Sequence, residues 1–445
     1  MTRILMQLQL SNYAPVENVG NHFILSADSG YQMMAGRIYE MLKFDPELII
    51  DIILPEKSTI GEDPLELVRR SLRYEESLCK RLKLWFVDIP TNAIQSRHHF
   101  NTNEMKAILV DGRYDVIYIN DPLHLKKYKS LCYTFKKKPK FIVHSHFIDN
   151  PECPKFPTDV SMWHSQVEAA IEADYNFWQC ESAYKIFIES MKKDYSERLV
   201  QTVMSKSSPW DDGYSHINIV NAEYIKKSSF IIALEEHLAS LQAAGKRILF
   251  IPNRVGKAGV SSDYTNCGKL IYEILPKFLK NKEMQEKLVI IVGNPNQKIP
   301  NSEIAQVLGP SYLNIFEKFT QKRNGSTIPV LTRDEYVCLL KYVDITASLY
   351  NQDSYGGTAA RECIAAGSLP YWLDCYEYRK LANLAGFRYL VKEDFSDAVA
   401  ILNMLIQSYD HIKGSDSYKK LQNVIYHECA YESTTYYAMK SANII

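Results

Sequence analysis

Residues 48–54, Leu-Ile-Ile-Asp-Ile-Ile-Leu, form a nearly unbroken apolar run. A strand with one face in water alternates polar and apolar residues. A continuous run instead belongs to a strand covered on both faces, as in a parallel sheet flanked by helices. Shorter apolar stretches recur at 4–10, 116–119, 141–143 and 176–180, each closed by polar residues. Between them, residues 31–44 place Met34, Ile38, Met41 and Leu42 at helical spacing, and 163–173 read as a second helix. Strands alternating with helices predict a doubly wound α/β domain.

The same rhythm restarts after a break at 205–215 (SKSSPWDDGYS), where Ser, Pro, Asp and Gly cluster. A helix is expected over 222–243, closed by Gly245, followed by strands at 247–251, 288–292, 329–330 and 345–349 and helices ending near 279 and spanning 333–342. With 445 residues the chain suits two domains of about 200 residues each. The expected division is a first Rossmann-like domain over 1–215, a connecting helix over 216–245, a second Rossmann-like domain over 246–412, and a terminal segment over 413–445.

Charge narrows the partners. The chain carries 52 Lys plus Arg and 52 Asp plus Glu, a net charge of zero, whereas a dedicated duplex binder shows a basic excess. Any nucleic-acid contact must rest on the local run Lys126, Lys127, Lys129, Lys136, Lys137, Lys138 and Lys140, which also fits a solvated helix end. Nine scattered cysteines without a Cys-x-x-Cys spacing fit free thiols in a reducing compartment. No apolar run approaches the ~20 residues of a membrane span, and no basic leader precedes the first strand, so a cytoplasmic protein is expected.

In open parallel sheets, ligands bind beyond the carboxyl ends of the strands. Three such stations stand out in the second half. Residues 252–259, PNRVGKAG, put Arg254 and Lys257 among small residues at a strand-to-helix turn, which suits a diphosphate. Gly293 ends the strand over 288–292. The third station is 353–362, DSYGGTAARE, where Gly356, Gly357 and Thr358 open a helix whose free N–H groups and dipole favour an anion. Glu362 lies one to two turns into that helix, placed to accept the hydroxyls of a ribose. A buried helix with a glycine start and a capped glutamate is the alternative reading of that segment.

Residues 246–409 resemble the donor-binding domain of retaining GT-B glycosyltransferases of the glycogen-synthase-like and sucrose-synthase-like group. Arg254 and Lys257 match that family's Arg-Lys turn, with the lysine two residues early. Residues 289–293 match its strand ending in Val-Gly, and 342–348 (YVDITAS) match its Ala-Asp-(apolar)4-Ser segment. Glu362 matches the second Glu of the Glu-x7-Glu stretch, followed by Ala366, Gly367 and Pro370. The first Glu is replaced by Ser354, with Asp353 adjacent, which leaves the donor sugar open. In the first half, Asp28-Ser29-Gly30 resembles the family's loop near donor and acceptor, and His146 resembles its sugar-binding histidine. The resemblance implies two Rossmann-like domains facing a cleft, with a C-terminal helix crossing back to the first.

It further implies transfer from a nucleoside-diphosphate sugar, with retention and without a metal or other cofactor. Arg254, Lys257 and the turn Gly356–Thr358 would stabilise the leaving diphosphate, Glu362 would hold the ribose, and Asp353 and His146 the sugar. A metal on His144 and His146 is not expected, because a one-residue gap with no third ligand nearby is a poor zinc site. A glycan or small molecule is the expected acceptor. A modified DNA base is the second reading: residues 367–372, GSLPYW, resemble a segment of phage DNA α-glucosyltransferases, and the lysine run could meet phosphates. A nucleotide-binding module without catalysis is the third, motivated by Ser354.

Overall fold

The computed structural model describes residues 1–7, 13–16, 20–23, 29–55, 63–89, 99–146, 148–150, 160–221, 225, 227–254, 266–294, 301–323, 331–349 and 357–445. The chain divides into two units, Met1–Ser215 with Tyr431–Ile445, and His216–Ala430. The first is built on β1 (Arg3–Gln7), β4 (Ile49–Pro55), β5 (Leu82–Val87), β6 (Val116–Ile119), β7 (Lys140–Ser145), β8 (Tyr175–Trp178) and β9 (Ser207–Pro209). These pair in the order β5-β4-β1-β6-β7-β8-β9, every pair parallel. In sequence, an antiparallel ribbon of β2 (Tyr13–Val16) and β3 (Gly20–Phe23) falls between β1 and the first helix.

Both faces of this sheet are covered. Ile4, Met6, Ile50, Ile52 and Leu54 pack with Met34, Ile38, Met41 and Leu42 of helix Ser29–Phe44. The intervening Leu5 and Ile53 pack on the other side with Met105, Ile108 and Leu109 of helix Thr102–Gly112. That period of two explains why the β4 run has no polar side: neither face meets water. Its one charged member, Asp51, is fully buried. It accepts hydrogen bonds from Arg3 Nη2 at 2.8 Å, Trp85 Nε1 at 2.8 Å and Tyr114 Oη at 2.7 Å, so the buried charge is paired and solvated by donors.

The second unit carries β10 (Arg247–Arg254), β11 (Leu288–Asn294), β12 (Ile345–Ser348), β13 (Leu369–Leu373) and β14 (Leu390–Val391), ordered β11-β10-β12-β13-β14 and all parallel. Asp344, just ahead of β12, fastens the start of β10: its carboxylate accepts from Ile248 N at 2.8 Å and from Arg247 Nη1 at 3.4 Å. Helix Asp416–Cys429 also packs here, against helices Thr358–Ala365 and Tyr376–Ala385, whereas helix Tyr431–Ser441 belongs to the first unit and meets helix Ser29–Phe44.

Two expectations are corrected. The break at 205–215 contains the edge strand β9, and the helix expected from 222 begins at Ser229. Ser228 fixes that start, its hydroxyl accepting from Ile231 N at 3.2 Å. The strand expected at 329–330 lies outside the described residues.

Candidate functional site

A strand order that reverses direction leaves a crevice at the carboxyl ends of the two strands on either side of the reversal. In the first unit that point lies between β1 and β6, and a buried polar cluster gathers there. Asn120, immediately after β6, donates from Nδ2 to the Gln7 carbonyl at 2.5 Å. That bond turns its Oδ1 toward His146 Nε2, 3.1 Å away. His146 Nδ1 lies 2.7 Å from Asp212 Oδ2. Arg37, fully buried on helix Ser29–Phe44, donates from Nη2 to Asp212 Oδ1 at 2.6 Å and to the Asp211 carbonyl at 3.2 Å.

His144 is enclosed by polar partners on both ring nitrogens. Arg37 faces both, Nη1 at 3.1 Å from Nδ1 and Nη2 at 3.5 Å from Nε2, and a guanidinium can only donate. Tyr118 Oη lies 2.7 Å from Nδ1, and Asp212 Oδ1 lies 3.4 Å from Nε2. Burial, then Arg37 and His146, push the His144 pKa well below the ordinary histidine value, in keeping with a neutral ring. For Asp212, burial alone would raise the pKa. The charge of His146, the bonds from both histidines and Arg37 outweigh it and hold it well below the usual carboxylate range.

The absence of a third ligand beside His144 and His146 is thereby corrected, since Asp212 brings its oxygens within 4.8 Å of both. The two rings stack at 4.5 Å and 3°. What opposes a metal is Arg37, a cation already bonded to the same carboxylate, 4.9 Å from the Trp210 ring and 5.3 Å from the Tyr431 ring. Of the loop Asp28-Ser29-Gly30, Gly30 lies buried in the first turn of the helix that carries Arg37, and Ser29 begins that helix. Asp28 and the Ser29 side chain lie outside the described residues.

In the second unit the reversal lies between β10 and β12. Arg254 ends β10 opposite Asn294, after a register shift that follows Ile251. Its side chain, Lys257, Asp353, Ser354 and Gly356 lie outside the described residues. Gly293 is buried in β11, and a Cβ there would meet the Phe250 ring at 2.6 Å, so packing alone calls for glycine. Beyond β12, Gly357 precedes helix Thr358–Ala365 and Thr358 opens it.

Glu362 is in the second turn of that helix, and its Oε1 accepts from Arg333 Nη2 at 2.7 Å. Under the turn, Tyr378 Oη is hydrogen-bonded to Ser348 Oγ at 2.7 Å, and the Tyr378 ring stacks on Trp372 at 4.4 Å and 19°. At the far end of the helix, Gln422 Nε2 donates to the Ile364 carbonyl at 3.0 Å, and Lys413 Nζ donates to the Gly367 carbonyl.

The lysine run is partly neutralised. Lys126 pairs with Glu168 at 2.8 Å, Lys129 with Glu172 at 2.9 Å, and Lys137 with Asp115 at 2.5 Å. Lys138 lies over the Tyr133 ring at 5.0 Å.

Two parallel sheets of Rossmann-like order, one per unit, with polar groups gathered at their carboxyl ends, are the elements of the GT-B fold. No family profile matches the sequence, and no curated protein is similar to it by sequence. Solved structures are similar over the full length at low identity. Anabaena HepE in complex with UDP-glucose shares 11% identity at TM-score 0.57, covering 100% of both chains. Sucrose-phosphate synthase from Thermosynechococcus elongatus shares 11% at TM-score 0.61, over 100% of this chain and 99% of that one. The UDP-forming α,α-trehalose-phosphate synthase of Burkholderia xenovorans, in complex with glucose-6-phosphate, shares 10% at TM-score 0.59, over 99% and 100%. At such identities the likeness is one of fold.

Arg37, Asp212 and Arg333 escape a reading of the sequence. One signal was available: Arg37 falls between Met34 and Ile38 on the apolar stripe of its helix, where a charge needs a buried partner.

Proposed function

We propose that the chain is a glycosyltransferase that takes a hexosyl group from a nucleoside-diphosphate sugar bound in the second unit. The carrying observation is Glu362, held beside a glycine-opened helix N-terminus directly after β12, at the reversal of a parallel sheet. Such a helix start offers free N–H groups to a diphosphate. A carboxylate one turn further along can accept the two hydroxyls of the attached ribose. HepE, solved with UDP-glucose, and the UDP-forming synthase share the fold, which makes uridine the first base to try.

On this reading Arg254, Lys257 and the helix start neutralise the departing diphosphate, where the largest charge develops. No metal is then needed, and the anomeric configuration is retained. Asp353 and His146 hold the sugar. For His146 the contact available for exchange is the longer one, Nε2 to Asn120, while Asp212 keeps Nδ1. The acceptor is a glycan or small molecule. The carboxylates on Lys126, Lys129 and Lys137 speak against a DNA acceptor, since they take up charge that phosphates would need.

The test is a thermal-shift panel of UDP-, GDP-, ADP- and CMP-sugars with and without EDTA. Ligand at 100 times its Kd stabilises by about 2.7 kcal/mol, an easily measured shift. Stabilisation followed by release of the free nucleotide, unaffected by EDTA, is expected, and NMR of the product gives its anomeric configuration. No shift with any donor removes the nucleotide site. A shift without turnover under any acceptor favours a binding module.

A further inference from the structure

We propose that Arg333 is the positioning residue that presents Glu362 to the donor's ribose and so sets the preference for ribo- over 2′-deoxyribonucleotides. This rests on the reading that Glu362 holds the ribose. Arg333 opens helix Arg333–Leu340, whose start is fixed independently. The Thr332 hydroxyl accepts from Glu335 N at 3.4 Å, and Glu335 Oε2 accepts from Thr332 N at 2.8 Å, a reciprocal capping box. The first turn of a helix disfavours a cation, because the free N–H groups and the dipole are positive there. Arg333 therefore sits against a local rule, and a device that breaks a local rule points to a function elsewhere.

That function is readable in its reach. The guanidinium, with its Cζ 5.5 Å from the Tyr336 ring, bonds Glu362 on a neighbouring helix. It takes only Oε1, and among the described residues no donor reaches Oε2. The Glu362 side chain is 7% exposed, against 19% for Arg333, so the carboxylate is nearly enclosed and its rotamer is set by this contact. One oxygen is anchored and the other is left to accept from the ribose 2′-hydroxyl. Without the anchor the carboxylate turns, and the 2′-hydroxyl loses its acceptor while the diphosphate contacts at the helix start stay intact. A purely structural ion pair predicts something different: lost stability, with discrimination between the two sugars unchanged.

The experiment measures Kd for UDP and 2′-deoxy-UDP by calorimetry, with the GDP and ADP pairs alongside, on the full chain. Variants are Glu362→Gln, Arg333→Gln and Arg333→Lys. Wild type should prefer the ribonucleotide by about tenfold, the scale of one charged hydrogen bond. Arg333→Gln should cut that preference to about twofold, leaving the 2′-deoxy affinity within about twofold of wild type. Arg333→Lys, which still offers a charged donor, should retain more of the preference than glutamine does. Full preference in a folded Arg333→Gln protein overturns the positioning role, and so does a drop in affinity that is equal for both sugars. Absent preference in wild type, or full preference in Glu362→Gln, instead overturns the ribose reading of Glu362 itself.

Discussion

Gly357 tests whether the turn beyond β12 is held by the structure beneath it. A Cβ at that position would lie 2.2 Å from Tyr378 Oη, 3.3 Å from Tyr378 Cζ and 3.7 Å from Ala360 Cβ. Carbon and oxygen in contact need about 3.4 Å, so roughly 1.2 Å must be found somewhere. Tyr378 is poorly able to yield, being 1% exposed, bonded to Ser348 and stacked on Trp372. Gly357→Ala should therefore cost about 1–3 kcal/mol as overpacking, or move the helix start and weaken UDP binding. Tyr378→Phe alone loses one hydrogen bond, about 1 kcal/mol. It also removes the atom at 2.2 Å and leaves Cζ at 3.3 Å, a contact that a few tenths of an ångström relieve. In the Tyr378→Phe background the alanine should then cost far less, a favourable coupling of about 1–2 kcal/mol. Urea denaturation and UDP calorimetry on the four proteins of the cycle give this number. Costs that add within about 0.5 kcal/mol would refute the steric argument, since uncoupled sites behave that way.

Three further outcomes follow from other parts of the chain. Asp212→Asn leaves the Arg37 guanidinium buried without its carboxylate and should destabilise the first unit by about 3–5 kcal/mol, read from hydrogen exchange in helix Ser29–Phe44; a loss below about 1 kcal/mol would mean Arg37 is solvated otherwise. Glu40, 2% exposed on the same helix, has its pKa pushed up to about 7, first by burial and then by Glu432, against Lys43 and Arg73 and with a smaller push from Glu75. The folded state then holds the proton more tightly than the unfolded one. The resulting stability is present below about pH 4.5 and is lost as pH rises to about 7. Glu40→Gln should accordingly gain on wild type by up to about 2 kcal/mol between those limits, and a difference independent of pH would count against it. Replacing Lys136, Lys137 and Lys138 by Ala should leave transfer to the true acceptor unchanged and insensitive to salt; a steep salt dependence flattened by the change would instead establish a polyanionic acceptor.

What was legible in the sequence follows from how local its cause is. Met34, Ile38 and Met41 announce their helix because burial on one face imposes the spacing, and residues 48–54 announce a strand because both faces are covered. Strand β5 is not legible: it lies at the sheet edge, with Phe86 45% exposed and Lys83 interrupting the apolar run, so no periodic burial marks it. The start of helix Ser229–Ala243 is poorly legible because a cap depends on one hydroxyl, that of Ser228, rather than on a pattern. The candidate site divides in the same way. Glu362 stands out because its helix must begin with small residues at a strand's end, a constraint contained within about ten residues. Arg333 is 29 positions away on another helix, and Arg37 and Asp212 are 175 positions apart. No local spacing encodes such pairs; only the fold brings them together. What the sequence does carry is their misfit, a cation in an apolar stripe at Arg37 and a cation at a helix start at Arg333. Each such misfit is compensated in the fold by a carboxylate that follows a strand of a parallel sheet, the side on which a parallel α/β unit places its chemistry.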